Sequence, residues 1–176
     1  ELRYAPSFAS MPPNTHAFED VLEAIEDGIE DAQHMLGGQD AIGVGLLCIG
    51  VGAMGKAEIN LTTDFYLQNQ NRFVGFDMAG AEQNVLEHKD CFQRVNDAGG
   101  RITCHASEDL EFGVPSNALN AVSVLHAERV GHGIQIIKDK EIMNIIRDKK
   151  IMLEVSVSSN WLTAGVDTLE NHPVRK

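Results

Sequence analysis

The residues best equipped for chemistry in this sequence lie in Ile102-Thr103-Cys104-His105-Ala106-Ser107-Glu108-Asp109. The stretch reads as a short apolar strand that ends on a histidine, followed one turn later by a carboxylate. A strand end that delivers His105 and Glu108 into one space can set a metal ligand beside a proton donor. A second such place is Arg129-Val130-Gly131-His132-Gly133, where glycines flank a histidine at another strand end. Taken singly, each residue also has a plain structural reading. His105 can be a core or rim histidine, Glu108 a solvated acid, His132 a turn residue and Gly80 the glycine of a tight turn.

The elements that must carry these positions follow from periodicity and punctuation. Glu1-Leu2-Arg3-Tyr4-Ala5-Pro6 alternates polar and apolar residues and stops at proline, as a strand does. Two prolines mark a loop over 11–15. Over 17–36 the apolar residues Phe18, Val21, Leu22, Ile25, Ile29 and Leu36 keep helical spacing, and Gly37-Gly38 stops the helix. Residues 41–49 form a continuous apolar run, suited to a strand covered on both faces. A loop over 50–55 lacks the G-K-[ST] end of a phosphate-binding loop, and a helix over 56–71 follows it. A strand over 72–80 runs into a glycine turn. The pattern then predicts a helix over 85–98, a strand over 101–105 and a helix over 115–125 with Ser116 as its cap. A strand over 129–132 precedes a helix capped by Asp139, with Ile142, Ile145 and Ile146 on one face. The last strand spans 151–156, and Ser158-Ser159-Asn160 is its exit loop.

Strand and helix thus alternate six times, the signature of parallel βαβ units. Polar and glycine residues gather just after strands, at Gly80, His105, His132 and Asn160. In a (β/α) barrel such positions share one rim, where active sites form. The fold class expected is α/β, a partial TIM-type barrel of about six βα units, with residues 1–176 as a single incomplete domain. A complete eight-fold barrel takes about 250 residues, roughly 200 at the low end, and this chain has 176. It starts on Glu1 inside a strand without an initiator Met, so it is read as a piece of a longer protein.

A formal charge of −12 argues against a nucleic-acid polymer as partner, because such binding draws on phosphate neutralisation by Lys and Arg. A small neutral molecule fits better. The three cysteines, Cys48, Cys91 and Cys104, are widely spaced and form no C-x-x-C pair. That fits a reducing compartment and a cytoplasmic location. No apolar run approaches the ~20 residues of a membrane span, so no membrane partner is expected.

The motifs together resemble the adenosine deaminase family, zinc hydrolases built on a (β/α)8 barrel. Glu1-Leu2-Arg3-Tyr4-Ala5-Pro6 is similar to the family's E-x-R-x-x-P second strand. Asp77-Met78-Ala79-Gly80-Ala81-Glu82 resembles D-L-A-G-x-E on the fourth strand. Thr103-Cys104-His105-Ala106-Ser107-Glu108 resembles T-x-H-A-G-E on the fifth, and Glu128-Arg129-Val130-Gly131-His132-Gly133 resembles E-R-x-G-H-G on the sixth. Leu153-Glu154 through Ser159-Asn160 resembles the seventh strand, and His172-Pro173-Val174-Arg175 a family tail. Each motif alone is weak. Their order and spacing over nearly the whole chain are specific.

The resemblance implies family strands two to seven. It also implies a reaction: hydrolytic deamination of adenosine, a small purine nucleoside, to inosine and ammonia by the parent protein. His105 would be a ligand to one zinc ion, and Glu108 the acid that protonates the purine ring. His132 would sit against the attacking water, and the backbone N–H of Gly80 would reach the purine. Glu82 and Asn160 would fix loops, His172 would be structural, and Arg3 and Glu154 would form polar layers within the barrel. The family's H-x-H zinc ligands and zinc-binding aspartate have no counterpart between Glu1 and Lys176, so the zinc site is incomplete and this chain alone is expected to be inactive. Two departures stand out. Ser107 replaces a glycine, which can shift Glu108 or narrow the pocket, and Ser156-Val157 replaces a Cys-Pro pair. They keep two alternatives open: a non-catalytic binding or structural relative, or an enzyme acting on N6-methylated adenosine phosphate or adenine. The oligomeric state is not legible.

Overall fold

A computed structural model describes residues 1–12, 15–38, 42–80 and 82–175. In chain order the elements are β1 (Leu2–Tyr4), α1 (Pro6–Ala9), α2 (Phe18–Met35), β2 (Leu46–Val51), α3 (Lys56–Gln68), β3 (Gly75–Ala79) and α4 (Lys89–Asp97). Then come β4 (Thr103–Ala106), α5 (Pro115–Ser123), β5 (Arg129–His132), α6 (Lys140–Asp148), β6 (Met152–Glu154) and α7 (Val157–Leu162). Strands β1-β2-β3 and β4-β5-β6 form two parallel ladders in sequence order. A parallel bridge between Phe76 and Ile102 joins them, and the Phe76 N–H donates to the Arg101 carbonyl at 2.8 Å. The six strands therefore make one arc with helices between them, the partial (β/α) barrel that the alternation predicts.

The arc is held by what alternate side chains bury. Phe76, Cys104 and Val130 are fully buried in one apolar cluster with Ile59, Tyr66, Phe92 and Val95. The Phe76 ring lies 5.4 Å from Tyr66 and 5.6 Å from Phe92, centroid to centroid. The neighbouring positions in the strands, at odds with an apolar layer, are Arg3, Asp77, His105, Arg129 and Glu154. These join one another instead. Arg3 Nε lies 2.6 Å from Asp77 Oδ2, and Arg3 also pairs with Glu154. Arg129 reaches Glu154 at 3.0 Å and Glu1 at 2.7 Å. A period of two thus sorts each strand into a helix-facing apolar set and a polar set on the opposite face.

Several predicted boundaries move. The strand placed at 41–49 is β2, which starts at Leu46 and continues through Gly50 to Val51; Ala41 lies outside the described residues. Gly50 is a packing glycine here, since a Cβ on it would lie 2.7 Å from Ile59 Cδ1 of α3. Pro6 does more than stop β1, because it occupies the first turn of α1. The helix predicted from 85 opens as a 3₁₀ turn over Glu82–His88 before α4. Asp139 caps α6, accepting from the Glu141 and Ile142 amides at 2.9 and 3.1 Å. Ser116 is not a cap. Pro115 takes the start of α5 after Val114, and the hydroxyl that accepts the Ala118 amide belongs to Ser107. Ser158-Ser159-Asn160 lies inside α7, not in a loop. No described helix is long and apolar enough to cross a membrane.

Candidate active site

Four predicted residues stand at the C-terminal ends of neighbouring strands. Gly80 follows β3, His105 lies in β4, Glu108 follows β4, and His132 ends β5. Gly80, His105 and Glu108 line one cavity of about 190 Å³ together with Phe112 and Thr163. His132 is buried behind it. Its Nε2 lies 3.3 Å from Glu108 Oε2, and its ring stands 5.0 Å from the His105 ring.

The local backbone explains this convergence. Gly80 has φ +74°, a left-handed conformation that glycine adopts without strain. The carbonyl of Gly80 comes so close to Gly52 that a Cβ there would lie 2.5 Å from it. Gly52 in the predicted 50–55 loop therefore serves the close approach of the Gly80 turn. Glu108 is set by a clamp. The Glu82 carboxylate accepts the Glu108 amide at 2.8 Å and the Asp109 amide at 3.0 Å, and also accepts the amide of Ser107. It further accepts from Asn117 Nδ2 at 3.1 Å. Ser107 itself is fully buried with φ +57°. Its hydroxyl donates to the Val114 carbonyl at 2.9 Å and accepts the Ala118 amide at 3.0 Å. The side chain feared to narrow the pocket is turned away from the cavity and ties the Glu108 loop to α5.

Electrostatics separates the histidines. His105 Nδ1 lies 3.1–3.2 Å from the two oxygens of Asp77. Burial works to lower the His105 pKa, but the hydrogen bond and charge of Asp77 outweigh it and hold it above the ordinary imidazole value. Asp77 has no exposed surface. Burial pushes its carboxyl up, yet His105 and Arg3 together keep it below the usual range. With Nδ1 on Asp77, the Nε2 lone pair of His105 is the one available to a ligand, the arrangement that metal-binding histidines adopt. Burial holds His132 below the ordinary imidazole value against the pull of Glu108. Glu108 Oε1 accepts from Thr163 Oγ1 at 3.1 Å.

The family described as adenosine deaminase matches residues 1–176. The chain belongs to the adenosine deaminase family. Its relatives include the adenosine deaminases of Plasmodium falciparum, 34% identical over 99% of this chain and 47% of the relative, and of Shewanella woodyi, 36% identical over 99% and 51%. The chain spans about half the length of the curated relatives it matches. An adenine deaminase from Arthrobacter aurescens superposes with a TM-score of 0.83 at 21% identity, covering 98% of this chain and 51% of that one. A zinc-bound amidohydrolase from Burkholderia ambifaria gives 0.83 at 24% identity, covering 99% and 48%. These two likenesses establish the barrel fold.

The adenosine deaminase family implies zinc, and the fit of this chain to it is partial. His105 has the supported imidazole of a ligand. Among the described residues no group of three or more His, Cys, Asp or Glu could hold a metal. A catalytic zinc normally takes three protein ligands, so the described residues by themselves do not make up the site. Among the residues that sequence reasoning left without a role, Asp77 and Thr163 bond to the site's side chains and Phe112 lines its cavity. A carboxylate inside the apolar run of β3 was a signal for Asp77. Nothing local marks Thr163, which reaches Glu108 from across 55 positions.

The clamp makes a prediction. Glu82→Gln turns one oxygen that accepts amides into an amide donor, so two N–H groups face each other. Amide hydrogen exchange at Ser107, Glu108 and Asp109 is expected to quicken about tenfold, the equivalent of roughly 1.4 kcal/mol of lost local protection. Unchanged exchange at these amides would show that the loop is held by something else.

Proposed function

We propose that the full-length protein is a zinc-dependent adenosine deaminase, with this chain supplying its proton-handling residues and one metal ligand. The observation that carries this reading is the meeting of Gly80, His105 and Glu108 around one cavity, with His132 Nε2 3.3 Å from the Glu108 carboxylate. Zinc, when bound, brings the pKa of its water from 15.7 to about 7 and so supplies hydroxide at neutral pH. His105, oriented by Asp77 at Nδ1, would hold the metal through its free Nε2. Glu108 gives a proton to the purine ring nitrogen, while Thr163 fixes its second oxygen. His132 steadies the oxygen that approaches the purine. The Gly80 N–H points the ring into the cavity, at a turn that tolerates no side chain without strain. A barrel that binds without converting is the second reading, favoured by the Ser156-Val157 departure after β6.

The test is the full-length protein, loaded with zinc and given adenosine, N6-methyl-AMP or adenine in parallel. Stoichiometric inosine and ammonia from adenosine is the expected result. Zinc binding with no conversion of any of the three selects the binding reading. Failure to bind zinc at all removes the role given to His105. The isolated 176-residue chain is expected to show no turnover.

A further inference from the structure

His132 is joined to the C-terminal tail by a chain of hydrogen bonds whose direction can be worked out. The backbone N–H of Val174 donates to His172 Nδ1 at 3.1 Å. Pro173 between them has no N–H, so Val174 offers the first amide after His172. A backbone N–H can only donate, so His172 Nδ1 carries no proton. A neutral imidazole has one N–H, which therefore sits on Nε2. His172 Nε2 lies 3.2 Å from Asn160 Oδ1, which accepts it. The amide of Asn160 is oriented by that bond. Its Nδ2 faces His132 Nδ1 at 2.8 Å and donates to it. Turning the amide over would set Asn160 N–H against His172 N–H, two donors with no acceptor in a site from which water is excluded. Asn160 and His172 are 0% exposed and His132 is 6% exposed, so no solvent relieves a wrong choice.

We infer that His172 and Asn160 are positioning residues that hold His132 in the tautomer with its proton on Nε2, the nitrogen facing Glu108. The line runs from a backbone amide through two buried side chains and ends 3.3 Å from Glu108 Oε2. His132 thus meets Glu108, which lines the cavity, as a hydrogen-bond donor. To take a proton at Nε2 it would first have to move its own to Nδ1, against the N–H of Asn160, and break the chain. The effect on turnover rests on the deaminase reading above, whereas the tautomer itself does not.

The experiment is nitrogen NMR of the histidines in the full-length protein, labelled with ¹⁵N-histidine, in the wild type and in His172→Gln and His172→Leu. In the wild type His132 is expected to show a protonated Nε2 and a pyridine-like Nδ1. His172→Gln keeps a donor toward Asn160 and is expected to retain that pattern. His172→Leu frees the Asn160 amide, so both His132 tautomers appear. Its kcat falls about 10–100-fold, by analogy with the loss of a partner that orients a metal-ligating histidine, with KM little changed. A protonated Nδ1 with a bare Nε2 on wild-type His132 overturns the inference, whatever the activity. So does a His172→Leu protein that keeps both the wild-type tautomer and wild-type kcat. If His172→Leu does not fold, the wild-type and His172→Gln spectra still decide. A protein that converts no adenosine but shows the Nε2 proton overturns the deaminase reading and upholds this one.

Discussion

Glu108→Gln in the full-length protein is expected to lower kcat for adenosine by about 10²–10⁴-fold, the contribution of a positioned general acid. The carboxamide matches the carboxylate in shape and can still accept from Thr163 Oγ1, which lies 3.1 Å from Oε1. It has no proton of comparable acidity to give. Because Glu108 is held through its backbone amide by Glu82, the substitution leaves the loop anchored, and the thermal midpoint is expected to stay within a few degrees of wild type. Steady-state kinetics and a thermal melt on the same preparation separate the two effects. Full activity in Glu108→Gln would remove Glu108 from the chemistry. A collapsed melting temperature would instead mark it as a structural acid.

Asp77→Ala is the second large change. Asp77 is fully buried and meets Arg3 at 2.6 Å, His105 at 3.1 Å and the Met78 amide at 2.7 Å. Removing it leaves a guanidinium and an imidazole facing an empty space. Breaking a buried charge pair from one side costs about 3–5 kcal/mol, and Arg3 keeps Glu154 as a partner, which places the expectation near the lower end. Urea unfolding of the full-length protein reads this directly. The same substitution releases His105 Nδ1, and zinc affinity is expected to fall about 10–100-fold. A loss of stability below about 1 kcal/mol would show that Asp77 is not the keystone of the polar face. Zinc affinity unchanged in a folded Asp77→Ala protein would show that His105 is oriented by its packing alone.

The arc of strands and the rim carrying Gly80, His105 and His132 could be read ahead of the structure because the signals are local. An apolar run ends, a glycine or histidine follows, and the next helix starts at a recognisable cap such as Asp139. The start of β2 was misread because hydrophobicity in the forties does not show where a partner strand begins. That is decided by the pairing of Leu47 with Gly75 and of Leu46 with Leu2. The helix through Ser158 and Asn160 was missed for a related reason. Its residues 157–160 are poor helix formers in isolation, and the fully buried Asn160 is fixed by His132 and His172 from other elements. Ser107 shows the limit most sharply. Sequence reasoning treated it as an obstruction at a glycine position, and the positive φ agrees that glycine would be easier there. Its bonds to Val114 and Ala118 depend on a helix eight residues further on, which no local pattern announces.

The Glu82 clamp has a bearing on what can be recognised at this mouth. Consecutive backbone amides that turn inward, with one residue in the left-handed region, form the type of hollow in which proteins commonly seat a phosphate. Here Ser107, Glu108 and Asp109 build such a hollow, and the chain has filled it with a carboxylate of its own. An incoming anion finds the seat taken by Glu82, with the Glu108 side chain beside it. This side of the cavity therefore offers a phosphate none of the Ser107, Glu108 and Asp109 amides, which already donate to Glu82.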